Sequence, residues 1–596
     1  MLKKSITVLI VFLFLALVNL CAQAPIRPAL PQKTVSLALP TQGTSTCPTL
    51  PTGSNCIRNV PPGDATSFQS AINAATCGDT IVLAAGSTYS GNFTIPQTTC
   101  TNNSGWIEIQ SSAMGSLPSP GNRVGPSNIS NMPTISTPNT APAITFNQQS
   151  NHWRLMGLEI TTSYVSTLAT VYNLILSGVD GEGHGLTSAP LLPSYLILDR
   201  VYLHGLAATN TTRGMDMDGV SVGVVDSYCD EIHSNGNDAQ CFGSWNGAGP
   251  FLFQNNFIQA SAENIMFGGA DPAIANLVPS DITIIGNLIQ KNTAWRGAPA
   301  PYNWVVKNLF ELKNAQRVLL DGNVFQYTWA SAQDEVMIIR SVNQNGSCPW
   351  CVVQDVTITH NLMLHAPIGV VLAPSQGPQT TNPAVPTQRV LIQNNFFADI
   401  SSVNWGGHGW VYQVISDSTV PTMHDIILDH NTSFEDSTNG AVMAFGDTGT
   451  VNNLQITNLI SDQGAYGIFG SGTAQGTSTL TTYTKNLVYG ANVLLNAIGV
   501  SRVTYPAGTY WNTLAGVEFI SYSGTDPTLP GNLQLQSTSR YHNAGTDGKD
   551  IGVWDWACLN NDSAAALVGN FVPSSGCGSS GNLLLQPPTT LNAVVR

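Results

Sequence analysis

Residues 308–327, "NLFELKNAQRVLLDGNVFQY", carry the pattern that decides the fold. In their second half Val318 and Leu320 alternate with other residues, Asn323 follows, and a second apolar pair comes after it. The same template, apolar-x-apolar-x-x-Asn-apolar-apolar, recurs as "FLFQNNFI" at 251, "ITIIGNLI" at 282, "VTITHNLM" at 356, "VLIQNNFF" at 390 and "IILDHNTS" at 426. A period of two marks strands with one buried face. The asparagines stand at 256, 287, 323, 361, 395 and 431, so successive steps are 31, 36, 38, 34 and 36 residues. Those steps are too long for one hairpin and too irregular for helical repeats. Between them lie further short apolar stretches, such as "NIMFGG" at 264, "NLFEL" at 308 and "EVMII" at 335. Three short strands per repeat describe one coil of a parallel β-helix.

The asparagines then have a structural role. At a sharp corner an Asn can take the left-handed backbone region and hydrogen-bond nearby main chain, and stacking such corners makes an amide ladder. Upstream, "DATSFQSAINAA" at 64–75 has Phe68 and Ile72 at i, i+4 behind an acidic start, as a short amphipathic helix does. It precedes "GDTIVLAAGSTYSGNFTI", which reads as the first coil, and is expected to plug the open end of the solenoid.

The chain begins with Lys3 and Lys4, an apolar run from Ile6 to Val18 and small residues, the order of a secretory signal, expected to span 1–22. A Pro/Thr/Ser-rich leader is expected over 23–60, the β-helix over 61–556 and a C-terminal cap or tail over 557–596. Removing the two lysines takes the formal charge from -14 to -16. Only 9% of residues are charged, so nucleic acid, which demands clustered Lys and Arg, is not the expected partner. An acidic polymer would need local cations or a metal. Ten cysteines follow the signal as near neighbours in sequence, an even count that in an exported chain suggests disulfides of unspecified connectivity. "CPWC" at 348 has redox-motif spacing but no surrounding βαβ pattern, so a loop clip is expected. The mature chain is expected to be secreted or periplasmic, monomeric and free of the membrane.

These motifs resemble the right-handed parallel β-helix proteins of the pectate lyase superfamily, over roughly residues 60 to 550. The helix followed by "GDTIVLAAGSTY" is similar to the opening segment of many bacterial members, and "GTDGKDIGVWDW" at 545 to a terminal segment of some. The resemblance implies an all-β, right-handed parallel β-helix, here of about ten coils, acting on a polysaccharide. It specifies fold better than activity, because the fold hosts lyases, hydrolases, epimerases and adhesins.

Alternate residues of each strand leave the core, and coils repeat every ~4.8 Å, so outward side chains form a grid. In "TRGMDMDG", "GNDAQCFG", "AENIMFGG" and "NLFELKNA", placing the apolar residues inward leaves Asp216, Asp218, Asp238, Gln240, Asn264, Glu311 and Lys313 facing out. Glu263 and Arg340 lie at strand ends nearby. β-Elimination on a uronate polymer needs a neutralised carboxylate, a base for the C5 proton and help for the leaving oxygen. Lys313 is the candidate base and Arg340 its partner on the next coil. The hard ligands Glu263 and Glu311, with Asp216 and Asp218, could hold Ca²⁺.

The order Asn264, Glu311, Lys313, Arg340 is similar to that of the chondroitinase B and alginate lyase branch. That branch has paired Glu residues several positions ahead of its Lys-Ser, whereas here one Glu stands two positions ahead of Lys313-Asn314. The alternative chemistry is hydrolysis by Asp216 and Asp218, roughly 6.5 to 7 Å apart on one strand face, near the lower edge for inversion. A Gly-His-Gly at 407–409 is similar to that of the polygalacturonase branch, without its adjacent Asp pair. Trp245, Trp295 and Trp304 are candidate sugar-stacking residues. A non-catalytic glycan-binding solenoid or adhesin would need those tryptophans but not Lys313.

Overall fold

The computed structural model describes residues 24–37, 45–46, 56–101, 105–166, 169–178, 185–375, 382–435, 438–497, 504–522, 532–571 and 577. The expected signal segment and Cys47 lie outside them. "GDTIVLAAGSTYSGNFTI" forms one coil: Thr80–Leu83, Thr88–Ser90 and Phe93–Ile95 are strands, one in each of three sheets. Successive coils add parallel strands to sheets of 16, 14 and 12 strands, making a right-handed parallel β-helix. Inward residues stack in register, as in the column Ile282, Val318, Val356, Val390, Ile426. All five are fully buried, so the period-two alternation becomes a continuous core.

The asparagine ladder joins all six repeats. From Asn256 through Asn287, Asn323, Asn361 and Asn395 to Asn431, each backbone N–H and each Nδ2 donates to the next Oδ1 at 2.8–3.1 Å. The expected backbone conformation is displaced by one position. It is the preceding residue that turns left-handed: Asn255 (φ 57), Gly286 (φ 61), Gly322 (φ 65), His360 (φ 52), Asn394 (φ 56) and His430 (φ 52). That residue makes the corner, which leaves the next amide, side chain included, aligned with the solenoid axis.

The first coil is covered. The helix Ala65–Ala74 is capped by Asp64, whose side chain accepts from Ser67 N at 2.9 Å, and it buries Phe68 and Ile72. Phe68 packs on Tyr89 and Phe93 of the first coil, with ring centroids 5.6 and 4.5 Å away. Near the other end of the chain, the helix Trp556–Val568 lies on the second sheet with Leu559 and Ala566 in an apolar cluster.

The leader segment is extended. Ile26, Ala29 and Gln32 donate backbone N–H groups to Asp425, Asp355 and Asp281 at 3.0, 3.0 and 2.8 Å. Those aspartates are two coils apart, so three residues of leader climb two coils, close to the ~3.1 Å rise per residue of a polyproline II strand. Disulfides join Cys77–Cys100, Cys229–Cys241, Cys348–Cys351 and Cys558–Cys577. Among the described residues no helix is long and apolar enough to cross a membrane.

Candidate active site

The third sheet carries the groove. Its strands Arg213–Asp216, Gln240–Ser244, Ile265–Phe267, Phe310–Leu312 and Glu335–Ser341 lie side by side. Register stacks Asp216, Gly243, Met266, Glu311 and Ile338 in one outward column, with Arg213 opposite Gln240 in another. The outer face of these coils bounds a cavity of about 610 Å³, whose lining includes Arg213, Asp238, Trp245, Lys307, Lys313 and Arg340.

Beneath the lining lie two fully buried carboxylates. Glu263 accepts from Gln240 Nε2 at 2.7 Å and faces Lys307 Nζ at 3.4 Å. Lys307 also reaches Asp238 Oδ2 at 2.5 Å. Glu311 lies 3.5 Å from Lys313 Nζ, 3.4 Å from Arg340 Nη2 and 3.2 Å from Asn308 Nδ2. Burial pushes the Glu263 carboxyl up, but Lys307 and Lys313 outweigh it and hold the group below the usual glutamate range. Burial also pushes Glu311 up, and there it prevails over Lys313 and Arg340, with the Glu263 charge adding to it. Burial works against the Lys307 charge, yet Glu263 and Asp238 together hold its pKa above the usual lysine value.

The two lysines therefore differ. Lys307 is clamped between two carboxylates, whereas Lys313 has one at 3.5 Å and approaches Met266 Sδ at 3.7 Å. Arg213 and Trp245 complete one wall, the guanidinium 4.2 Å from the centre of the ring.

Of the residues singled out from sequence, Asp238, Gln240, Trp245, Lys313 and Arg340 line this cavity, and Glu263 and Glu311 lie under it. Others are directed elsewhere. Asn264 does not face outward: its Nδ2 donates to Ile258 O and Gln290 O, and its Oδ1 accepts from Lys291 Nζ at 2.7 Å. Lys291 is fully buried and also donates to the carbonyls of Ala260, Ala262 and Asn308.

Asp218 Oδ1 caps a turn, accepting from Ser244 Oγ, Trp245 N and Asn246 N at 2.9, 2.8 and 2.7 Å. Asp216 is fully buried and accepts from Asp218 N at 3.2 Å. These two carboxylates do not flank an open space, so the geometry expected of a hydrolytic pair is not formed. His408 stacks on Trp410, with ring centroids 4.0 Å apart, and is not part of the groove lining.

The calcium expected from sequence does not fit these residues. Ca²⁺ takes 6–8 oxygen ligands. Here each buried glutamate is already set against ammonium or guanidinium groups, and Asn264 is committed to Lys291. No three His, Cys, Asp or Glu converge among the described residues.

Arg213 and Lys307 escape the sequence reading for different reasons: Lys307 lies outside an alternating stretch, and Arg213 stands two residues before the inward Met215, where alternation turns it toward the core. Lys307 belongs to the loop before Phe310–Leu312, and Arg213 opens its strand. The signal that finds Arg213 is register: it stands opposite Gln240.

Trp295 and Trp304 are not in this groove. With Trp329, Trp405 and Arg296 they line a second cavity of about 380 Å³, which begins at Val306, next in sequence to Lys307.

No family model and no curated protein matches the chain. Solved structures do. An alginate lyase from Paenibacillus sp. str. FPU-7 aligns over 72% of this chain and 99% of its own at 13% identity, TM-score 0.32. Pectate lyase Pel9A aligns over 89% and 98% at 14% identity, TM-score 0.31. The catalytic unit of an α-1,3-glucanase from Streptomyces thermodiastaticus strain HF3-3 aligns over 80% and 71% at 13% identity, TM-score 0.40.

Proposed function

We propose that the protein is a polysaccharide lyase that cleaves a uronate-containing glycan by β-elimination in the groove on the third sheet. The observation that carries this reading is the gathering of Arg213, Lys307, Lys313 and Arg340 around one cavity. The whole chain has only 21 Lys and Arg and a formal charge of -14. Four cations at one cavity, three of them also paired with Asp238, Glu263 or Glu311, supply local positive charge that an anionic polymer needs.

The chemistry follows from the two kinds of cation. Lys307 stays an ammonium and, with Arg213 and Arg340, neutralises the uronate carboxylate, which makes the C5 proton removable. Lys313, held by fewer carboxylates, acts as the base once it has lost its own proton. The C5–H pair becomes the C4=C5 double bond, the C4–O bond breaks, and the departing oxygen takes a proton from the Lys313 ammonium just formed. One lysine thus serves both steps of a syn elimination. No metal is needed for neutralisation.

Four disulfides support folding in an oxidising compartment, and with it secretion or a periplasmic location. Secretion would leave a soluble monomer acting on polymer outside the cell. The test is the ultraviolet absorbance of unsaturated uronate during incubation with a panel of uronate polymers. A rise that disappears in Lys313→Ala, with the melting curve unchanged, is the expected result. Released reducing ends without that absorbance would overturn elimination in favour of hydrolysis; binding without either product would leave a glycan-binding solenoid.

A further inference from the structure

The second cavity is a different chemical environment from the groove beside it. Its walls are the indoles of Trp295, Trp304, Trp329 and Trp405, with Arg296 and Asn303 at the solvent edge. Trp295, Trp304 and Trp329 pack with Val306 and Trp405 in one apolar cluster, and a surface cleft of about 380 Å³ opens over it, within the ~300–1,000 Å³ of small-ligand sites.

The rings are held in place from behind. Trp304 stacks on His233 with centroids 3.9 Å apart, and Trp295 meets the same imidazole edge-on at 5.5 Å. Trp405 Nε1 donates to Asp399 Oδ2 at 2.8 Å, and His365 Nδ1 lies 2.8 Å from that same oxygen. Fixed aromatic walls lose little entropy when a flat ligand binds.

Charge separates the two cavities. Four cations line the groove, but among the described residues Arg296 is the one charged side chain lining the cleft. Its guanidinium is already engaged, lying 5.0 Å from the Trp405 ring centre and donating to Asn404 O at 2.7 Å. A second uronate carboxylate would meet one guanidinium there, against four cations in the groove. A neutral pyranose has what the cleft offers to receive: a C–H face for indole and hydroxyls for Asn303 and the solvent edge.

The two cavities meet along the chain. Val306 lines the cleft and Lys307 the groove, and on the next coil Ser331 lines the cleft and Gln333 the groove. The two cavities thus draw lining residues from the same stretches of chain on two successive coils.

We propose that this indole-lined cleft is a subsite for a neutral pyranose ring, so that the substrate class is a heteropolysaccharide in which the reacting uronate is followed by uncharged sugars. The identity of the groove's occupant rests on the lyase reading above; the affinity of the cleft for a neutral ring does not.

The experiment is titration of the full chain with neutral hexose, deoxyhexose and N-acetylhexosamine oligosaccharides, read by tryptophan fluorescence and by saturation-transfer NMR. At least one is expected to bind. Trp405→Ala, at the partly buried ring, should weaken that binding tenfold or more. Trp329→Phe provides a second variant that keeps an aromatic wall and should weaken binding less. No binding by any neutral sugar at millimolar concentration, or binding indifferent to Trp405→Ala in a folded protein, overturns the subsite. So does binding of a homopolymeric uronate fragment that is lost in Arg296→Ala. Neutral-sugar binding without lyase activity would remove the lyase reading alone; lyase activity on a homopolyuronate with no neutral-sugar binding would remove the subsite alone.

Discussion

Lys313 Nζ lies 3.5 Å from Glu311 Oε2, two residues back along the chain, and Arg340 Nη2 holds the other oxygen of that carboxylate at 3.4 Å. The carboxylate is thus divided between two cations, while Lys307 contacts two carboxylates, Asp238 and Glu263. Lys313→Ala is expected to cut kcat by ~10²–10⁴, the usual contribution of a general base. Lys307→Met should raise KM and lose much of the salt sensitivity of binding, because it removes a fixed charge rather than a proton carrier. Steady-state kinetics at two ionic strengths separate the two outcomes.

Removal of divalent metal should leave the rate unchanged. Neutralisation in this groove falls to guanidinium and ammonium groups, and the buried glutamates already face them. Progress curves before and after exhaustive EDTA dialysis, with and without added Ca²⁺, check this; loss of activity restored by Ca²⁺ would contradict it.

Asn323 can be read from sequence because Asn287 and Asn361 repeat its surroundings, and repetition exposes what a single residue does not. Its backbone role could not be read so closely: the left-handed position falls on Gly322, where an added Cβ would come within 2.6 Å of Asp562. Glu311 and Lys313 follow from alternation within one strand. Lys307 does not, because its place depends on a loop closing over Asp238 and Glu263 from other coils. Asn264 shows the opposite failure: alternation turns it outward, but its carbonyl oxygen is taken up by the buried Lys291 Nζ. Polar pairs between coils override a pattern that only sorts apolar from polar.

Breaking the ladder in its middle should be costly. Asn323 accepts two hydrogen bonds from Asn287 and donates to Asn361 Oδ1 and Ile284 O, all within the protein interior. Asn323→Ala leaves several of these partners buried and unpaired, at about 1–3 kcal/mol each before relaxation. A melting temperature lowered by several degrees, with the neighbouring coils losing amide protection first, is the expected outcome by calorimetry and hydrogen exchange.

Deleting residues 24–37 should have a smaller effect. The leader contributes three backbone hydrogen bonds to Asp425, Asp355 and Asp281, and Val35 fills an apolar cluster with Trp106, Ile197, Val225 and Leu252. All three aspartates keep partners after its loss, Asp281 with Arg317, Asp355 with Arg389, and Asp425 with His424 and Asn453. Faster exchange confined to the outer face of the first sheet, with activity retained, is expected from a chain lacking the segment.

The C-terminal helix should be held by a protonated histidine. His360 Nδ1 meets Asp321 Oδ1 at 2.8 Å and its Nε2 lies 3.5 Å from Asp555 Oδ2, immediately before the helix Trp556–Val568. Burial opposes the charge, but the two aspartates raise its pKa to about 9 from the ordinary 6.5. A group raised on folding stabilises fully below its unfolded value and loses that contribution as pH climbs through its folded value. Stability should therefore fall between about pH 6.5 and about pH 9. Each pH unit across that interval costs ~1.4 kcal/mol, so the loss is at most about 3.5 kcal/mol. His360→Gln should be less stable than the parent at pH 6 and lose less on going to alkaline pH. Melting curves of the two proteins across that range decide it: parallel pH profiles would mean that the imidazole is neutral in the folded protein and that the helix is held by its apolar face alone.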